Sequence, residues 1–134
     1  MESAAPHPGR PLDRTNVAAV IPAYHEEAHV RGVAERARAQ LDHVAVIDDG
    51  STDATAARAR EGGAEVIVHP QNRGKGEAIK TGLRYWLARS EIEFIFLFDA
   101  DGLVAALEEQ PRGGHDDALT GVRRAGHASI IRTS

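Results

Sequence analysis

Two aspartates one residue apart, Asp99 and Asp101, close the apolar run "EFIFLFDADG" (Glu93 to Gly102). Side chains at alternate positions of an extended strand point to the same side, so both carboxylates can face one ligand. Such a pair of hard oxygens suits Mg²⁺ or Mn²⁺, ions commonly shared between carboxylates and a substrate diphosphate. The same pair also suits a solvated turn at a strand end. A second acidic pair, Asp48 and Asp49, opens "DDGSTD". Gly50 permits a tight turn there, and Ser51 or Thr52 can cap a following helix. Capping accounts for Ser51 to Asp53, but two adjacent aspartates exceed that need. One carboxylate is then left for a ligand's donors, such as a base N–H or ribose hydroxyls. "NRGKGEA" sets Lys75 between two glycines at a helix start, where backbone N–H groups and a cation suit a phosphate. This is not a Walker A loop, and Ile79 stands where a dinucleotide G-x-G-x-x-G needs its last glycine.

"HEEAH", His25 to His29, satisfies the H-E-x-x-H zinc-protease pattern. That chemistry needs both histidines on one helix face and a third ligand. His25 comes three residues after Pro22, while the chain is still turning out of a strand, so the zinc reading is set aside. His43 and His69 read as ordinary surface residues flanking strands, and Trp86 as a core residue on a helix stripe.

The elements that position these groups follow a rhythm. "VAAVI" (Val17 to Ile21) is an apolar run stopped by Pro22, which suits a strand buried on both faces. Between Glu26 and Leu41, Val30, Val33, Ala34, Ala37 and Leu41 recur three and four apart and predict a helix. "VAVI" (Val44 to Ile47) is a second strand, followed by a helix to about Glu61 that stops at Gly62 and Gly63. "AEVIV" (Ala64 to Val68) is a third strand. Ile79, Leu83, Trp86 and Leu87 mark the next helix face, and "FIFLF" (Phe94 to Phe98) is the fourth strand. Strand and helix alternate with short connections, which predicts a parallel sheet with helices on its faces and right-handed crossovers. In such sheets ligands bind outside the carboxyl ends of the strands. "PAYHEE", "DDGSTD", "HPQNRGKGEA" and "DADG" all fall there.

Composition narrows the classes. With 42% apolar and 27% charged residues, the chain reads as a globular domain or part of one. A formal net charge of -4 argues against non-specific nucleic-acid binding. The absence of cysteine excludes disulfides and thiolate metal sites. No run approaches the ~18 apolar residues of a membrane span. The first residues lack the apolar core of a secretory signal, so the expected address is cytoplasmic.

Taken together, "VIPAYHEE", "VIDDGSTD", "NRGKGEAI" and "FLFDADG" resemble family 2 glycosyltransferases of the GT-A fold, and within them the dolichyl-phosphate-mannose-synthase-like branch. The resemblance covers about residues 17–102. It implies a nucleotide-diphosphate-sugar donor held by Pro22, Ala23, Tyr24, Glu26, Asp48, Asp49, Lys75, Asp99 and Ala100. Asp49 would meet the base or ribose, and Lys75 would lie near the nucleotide. Asp99 and Asp101 match the family's DxD motif, which holds a divalent cation, Mg²⁺ or Mn²⁺, against the diphosphate. The acceptor implied is a polyprenyl phosphate, which would place the protein peripherally at a membrane surface.

The match also has departures. His25 stands where the family most often has asparagine, and Leu103 where this branch usually continues with glutamine. No residue after Gly102 matches the family's catalytic base. Three segments are expected: a flexible lead-in (1–16), a nucleotide-sugar-binding half (17–102) and a divergent, poorly ordered tail (103–134). The sheet is expected to be truncated after its fourth strand, leaving an uncovered edge open to self-association. Two readings of function stand side by side: a metal-dependent glycosyltransferase, and an inactive nucleotide-binding fragment of one. A sugar-phosphate nucleotidyltransferase is disfavoured because "PAYHEE" lacks that class's glycine-rich loop, which should follow the first strand.

Overall fold

A computed structural model describes residues 12–97, 122–125 and 128–133. β1 (Val17–Ala23) is buried at every position, which is why its sequence is a continuous apolar run and not an alternating one. It lies between β2 (His43–Asp48) and β4 (Phe94–Leu97), parallel to both. β3 (Glu65–Val68) pairs parallel with β2. Parallel neighbours need crossovers. These are α1 (Val30–Gln40), α2 (Thr55–Glu61) and α3 (Lys75–Leu87).

The sheet order is β3-β2-β1-β4-β6-β5, so the chain steps outward from β1 to β3 and then returns to the other side of β1. Right-handed crossovers then require α1 and α2 on one face and α3 on the opposite face. The two cores follow that division. Val17, Ala19, Ile21, Val44 and Val46 face Val30, Val33, Ala34, Ala37 and Ala59 of α1 and α2. Ala18, Val20, Ala45 and Ile47 face Ala78 and Trp86 of α3.

The α3 contact is close. Trp86 is fully buried and its indole N–H donates to the Ala19 carbonyl at 3.0 Å. At Gly82 an added Cβ would lie 2.3 Å from Cγ1 of Val20, so only glycine lets the helix approach β1 this far. The buried stripe of α3 runs through Ala78, Gly82 and Trp86, and Leu87, expected on that face, is 54% exposed. Four-residue steps drift slowly around a helix, and the close approach at Gly82 selects this line over the Ile79–Leu83–Leu87 line.

Three expectations need correction. The first helix begins at Val30, not near Glu26, because Glu26 to His29 form a turn in which the Glu26 carbonyl accepts the N–H groups of His29 and Val30. The second begins at Thr55, so Ser51 and Thr52 do not cap it. The sheet continues past the fourth strand: β6 (Ala128–Arg132) pairs antiparallel with β4, and β5 (Val122–Ala125) pairs antiparallel with β6. The β4 edge expected to lie open is therefore paired. "ASIIR" escaped notice because it is short and has only two large apolar residues, of which Ile130 is buried against the α1 side of the sheet. The lead-in joins the fold at its end. Asn16 is fully buried, and its carbonyl accepts Glu93 N–H at 2.8 Å, clipping the start of β4 beside the start of β1.

Candidate functional site

β1, β2 and β3 end level with one another: Ala23 pairs with Asp48, and Asp48 with Val68. Two main-chain bonds continue the alignment beyond the strands, Asp49 N–H to the Ala23 carbonyl at 2.9 Å and His69 N–H to the Asp48 carbonyl at 2.8 Å. The residues that follow β1, β2 and β3 therefore leave the sheet along one rim. The reversal of strand order falls between β1 and β4, where a crevice opens in sheets of this kind.

At the first exit Pro22 and Ala23 are buried, while Tyr24 is 45% exposed with its ring stacked on His25 at 3.9 Å. His25 has a φ of 54°, in the left-handed region. Its N–H donates to Ser51 Oγ at 2.9 Å, and its Nε2 accepts the N–H of Thr52 at 3.2 Å while meeting the Thr52 hydroxyl at 3.1 Å. Ser51 and Thr52 thus serve the neighbouring loop. Glu26 is partly buried, and its N–H donates to the hydroxyl of the fully buried Thr55 at 2.9 Å. The Thr55 hydroxyl in turn donates to Asp53, which also accepts Thr55 N–H at 3.0 Å. That hydroxyl bond is the foremost reason the Asp53 carboxyl lies below its ordinary range.

At the second exit Asp48 is buried and accepts Ser51 N–H at 3.0 Å. Gly50 turns the chain with a φ of 80°, and a Cβ there would come within 2.5 Å of Asn72 N. Asp49 is 3% exposed and bonded through both oxygens. Oδ1 accepts His69 Nδ1–H at 2.7 Å and Arg73 N–H at 2.9 Å, and Oδ2 accepts Gly74 N–H at 2.8 Å and Asn72 Nδ2–H at 3.2 Å. Burial alone would raise this carboxyl. The bond from His69, those from the Arg73 and Gly74 amides and the attraction of His69 outweigh it, and the pKa is lowered.

At the third exit His69 is 6% exposed, with Nε2 meeting the Thr81 hydroxyl of α3 at 2.8 Å. Lys75 is exposed in the first turn of α3.

These contacts revise several expectations. Asp49, expected to meet a base or ribose, is nearly buried with both oxygens accepting internal donors beside the α3 N-terminus. Of the backbone amides around Lys75, read as suited to a phosphate, that of Gly74 is taken by Asp49, as is the preceding one of Arg73. His69 is not a surface residue: the carboxylate beside it gives it a buried partner. His25 and His29 share no helix face, since α1 starts after both. Among the described residues no three His, Asp or Glu side chains are grouped to hold a metal ion. Asp99, Ala100 and Asp101 lie outside the described residues. The sequence reading missed Thr55 and the roles of His25 and His69. His69 carried one usable signal, its place directly after a strand on the same rim as the aspartates.

The chain belongs to glycosyl transferase family 2, whose model matches residues 18–110. It is 33% identical over 92 residues to the uncharacterised protein MJ1222 of Methanocaldococcus jannaschii, a match covering 68% of this chain and 37% of that protein. To MJ0544 of the same organism it is 26% identical over 125 residues, covering 85% of this chain and 55% of that protein. Among solved structures, glucosyl-3-phosphoglycerate synthase from Mycobacterium tuberculosis with Mg²⁺ and uridine diphosphate matches with a TM-score of 0.53 at 30% identity, over 64% of this chain and 33% of that chain. The same protein with Mn²⁺, UDP-glucose and phosphoglyceric acid gives the same TM-score and identity, 0.53 and 30%. The sheet order and helix placement described above are therefore those of a GT-A fold, in part. The chain spans 37% and 55% of the two curated relatives and about a third of the solved one. No helix among the described residues is long and apolar enough to cross a membrane.

Proposed function

We propose that this chain is the donor-binding half of a glycosyltransferase that takes a nucleoside-diphosphate sugar into the crevice beyond β1, β2 and β4. One observation carries the reading. In a member of family 2, three strand exits are tied level along one rim beside the point where strand order reverses, and β4 runs parallel toward the same rim. Tyr24 and Glu26 line the nucleoside side, with Pro22 and Ala23 setting their exit from β1. Asp48 and Asp49 act by holding the loops that shape the pocket, and Lys75 faces the diphosphate.

Asp99, Ala100 and Asp101 follow β4 in sequence. Two carboxylates at alternate positions are a hard-oxygen donor set that fits Mg²⁺ or Mn²⁺. Bound there, the cation would supply neutralisation of charge on the departing nucleotide. We take the acceptor to carry a phosphate, with a polyprenyl phosphate, as in the dolichyl-phosphate-mannose-synthase-like branch, as the specific reading.

Calorimetric titration with UDP, with and without Mn²⁺, tests the donor reading. Asp99→Ala and Asp101→Ala are each expected to weaken the Mn²⁺-dependent binding by about tenfold, roughly 1.4 kcal/mol. Unchanged binding in both variants removes the metal role. Transfer from UDP-glucose is then measured with a polyprenyl phosphate in vesicles and with phosphoglycerate in solution. A second reading is a nucleotide-binding fragment without turnover. Binding with no transfer to either acceptor would identify it.

A further inference from the structure

We infer that His25 is a positioning residue for nucleotide recognition: its imidazole clasps the Ser51–Thr52 turn and thereby holds the Tyr24 ring at the mouth of the crevice. The inference deepens the donor-binding reading and rests on it. Three observations meet at this residue. Among the described residues His25 is the one non-glycine with positive φ, 54°, a conformation that costs an L-residue free energy. It spends that strain on three contacts to a loop distant in sequence, through its own N–H to Ser51 and through Nε2 to the N–H and hydroxyl of Thr52. The imidazole plane then lies against Tyr24 at 3.9 Å and 25°, so the ring that clasps one loop also braces the exposed aromatic of the other.

Folding alone does not demand this side chain. His25 is exposed and touches neither core. A glycine would make the same turn without strain and would keep the N–H that meets Ser51. What glycine removes is the acceptor for Thr52 N–H and the surface against Tyr24. Nε2 accepts the Thr52 N–H, and the clasp depends on that contact. The consequence is confined to the side of the pocket that Tyr24 faces. Contacts to the nucleoside depend on His25, and contacts to the diphosphate do not.

The test uses the full chain with His25→Gly and His25→Asn, reading thermal midpoint, affinity for UDP with Mn²⁺, and affinity for pyrophosphate with Mn²⁺. His25→Gly is expected to unfold at the wild-type temperature or above it, to lose about fivefold in UDP affinity, and to hold pyrophosphate within about twofold. Asparagine tolerates the left-handed conformation and offers an amide oxygen to Thr52 N–H. His25→Asn should therefore recover UDP affinity to within about threefold of wild type. UDP affinity in His25→Gly equal to wild type overturns the inference. So does equal weakening for UDP and pyrophosphate, or a fall in midpoint or loss of folding, each of which would make the residue structural. No UDP binding by the wild type overturns the donor reading itself, and this inference with it.

Discussion

Replacing Asp49 with asparagine keeps the shape of the side chain and removes half its accepting capacity. In the native chain Oδ1 serves His69 and Arg73, and Oδ2 serves Gly74 and Asn72. An asparagine presents one oxygen and one NH₂, so whichever way it turns, one pair of donors faces a donor. Its better orientation sets the NH₂ toward Gly74 and Asn72, since Asn72 is exposed and can turn to water. That leaves Gly74 N–H unmet at the start of α3, at about 1–3 kcal/mol, with roughly 1 kcal/mol more from neutralising the acceptor of the two remaining bonds. The expected loss is about 2–4 kcal/mol, which lowers the thermal midpoint of a chain this size by roughly 6–16 °C.

Urea unfolding followed by circular dichroism reads this directly, and its pH dependence separates charge from shape. The wild-type carboxyl is held below its ordinary range, so the folded state favours the ionised form more than the unfolded chain does. The stability from that preference is fully present above the unfolded value of about 3.9 and is lost as pH falls through the lowered native value. The gap between wild type and Asp49→Asn should therefore persist above the ordinary carboxylate range and close in the acid range below about 4. A loss under about 0.5 kcal/mol, or a gap that stays unchanged on acidification, refutes the view of Asp49 as the internal anion of the α3 N-terminus.

Two further perturbations probe the frame around the rim. Gly82→Ala places a Cβ 2.3 Å from Cγ1 of Val20 on the central strand, and overpacking of this kind should cost about 1–3 kcal/mol in urea unfolding. Adding Val20→Ala should recover part of it, and strictly additive losses would mean that the two do not touch. Ile130→Ala should cost about 2–4 kcal/mol if β6 seals the α1 side of the sheet beside β4, and a loss near zero would detach that strand from the core.

The parallel half of the fold was legible because each of its strands contains a short apolar run, and in α1 the spacing of buried positions is itself the burial pattern. The boundaries were less so. Glu26 to His29 carry no breaker, and it takes bonds seen in the fold, among them Glu26 N–H to Thr55 Oγ1, to show that the chain is pinned in a turn there. β6 was missed because an antiparallel strand with one buried isoleucine has no run to detect. At the site the rim was readable and the partners were not. That "DDGSTD" and "HPQNRGKG" lie together follows from β2 and β3 being parallel neighbours, yet nothing in either stretch says that Asp49 accepts from the second loop and not from a ligand.

That difference bears on how a diphosphate would be met. A helix N-terminus with open amides stabilises an anion through its dipole and its N–H groups. Just before α3 the amides of Arg73 and Gly74 are turned to Asp49, whose lowered pKa keeps a negative charge beside that terminus. On the donor-binding reading, the diphosphate then meets a rim on which Asp48, Asp49 and Asp53 are acidic, with Arg73 and Lys75 as cations around the start of α3. Without a further positive charge the encounter is repulsive, so the balance falls to the divalent cation assigned to Asp99 and Asp101. Mn²⁺-free UDP binding is therefore expected to be weaker than Mn²⁺-bound by at least about tenfold. It should also strengthen as ionic strength rises, the reverse of what an open phosphate cradle would give. Metal-free binding that weakens with salt would show that the helix terminus attracts the nucleotide after all, and would return the α3 amides to the ligand.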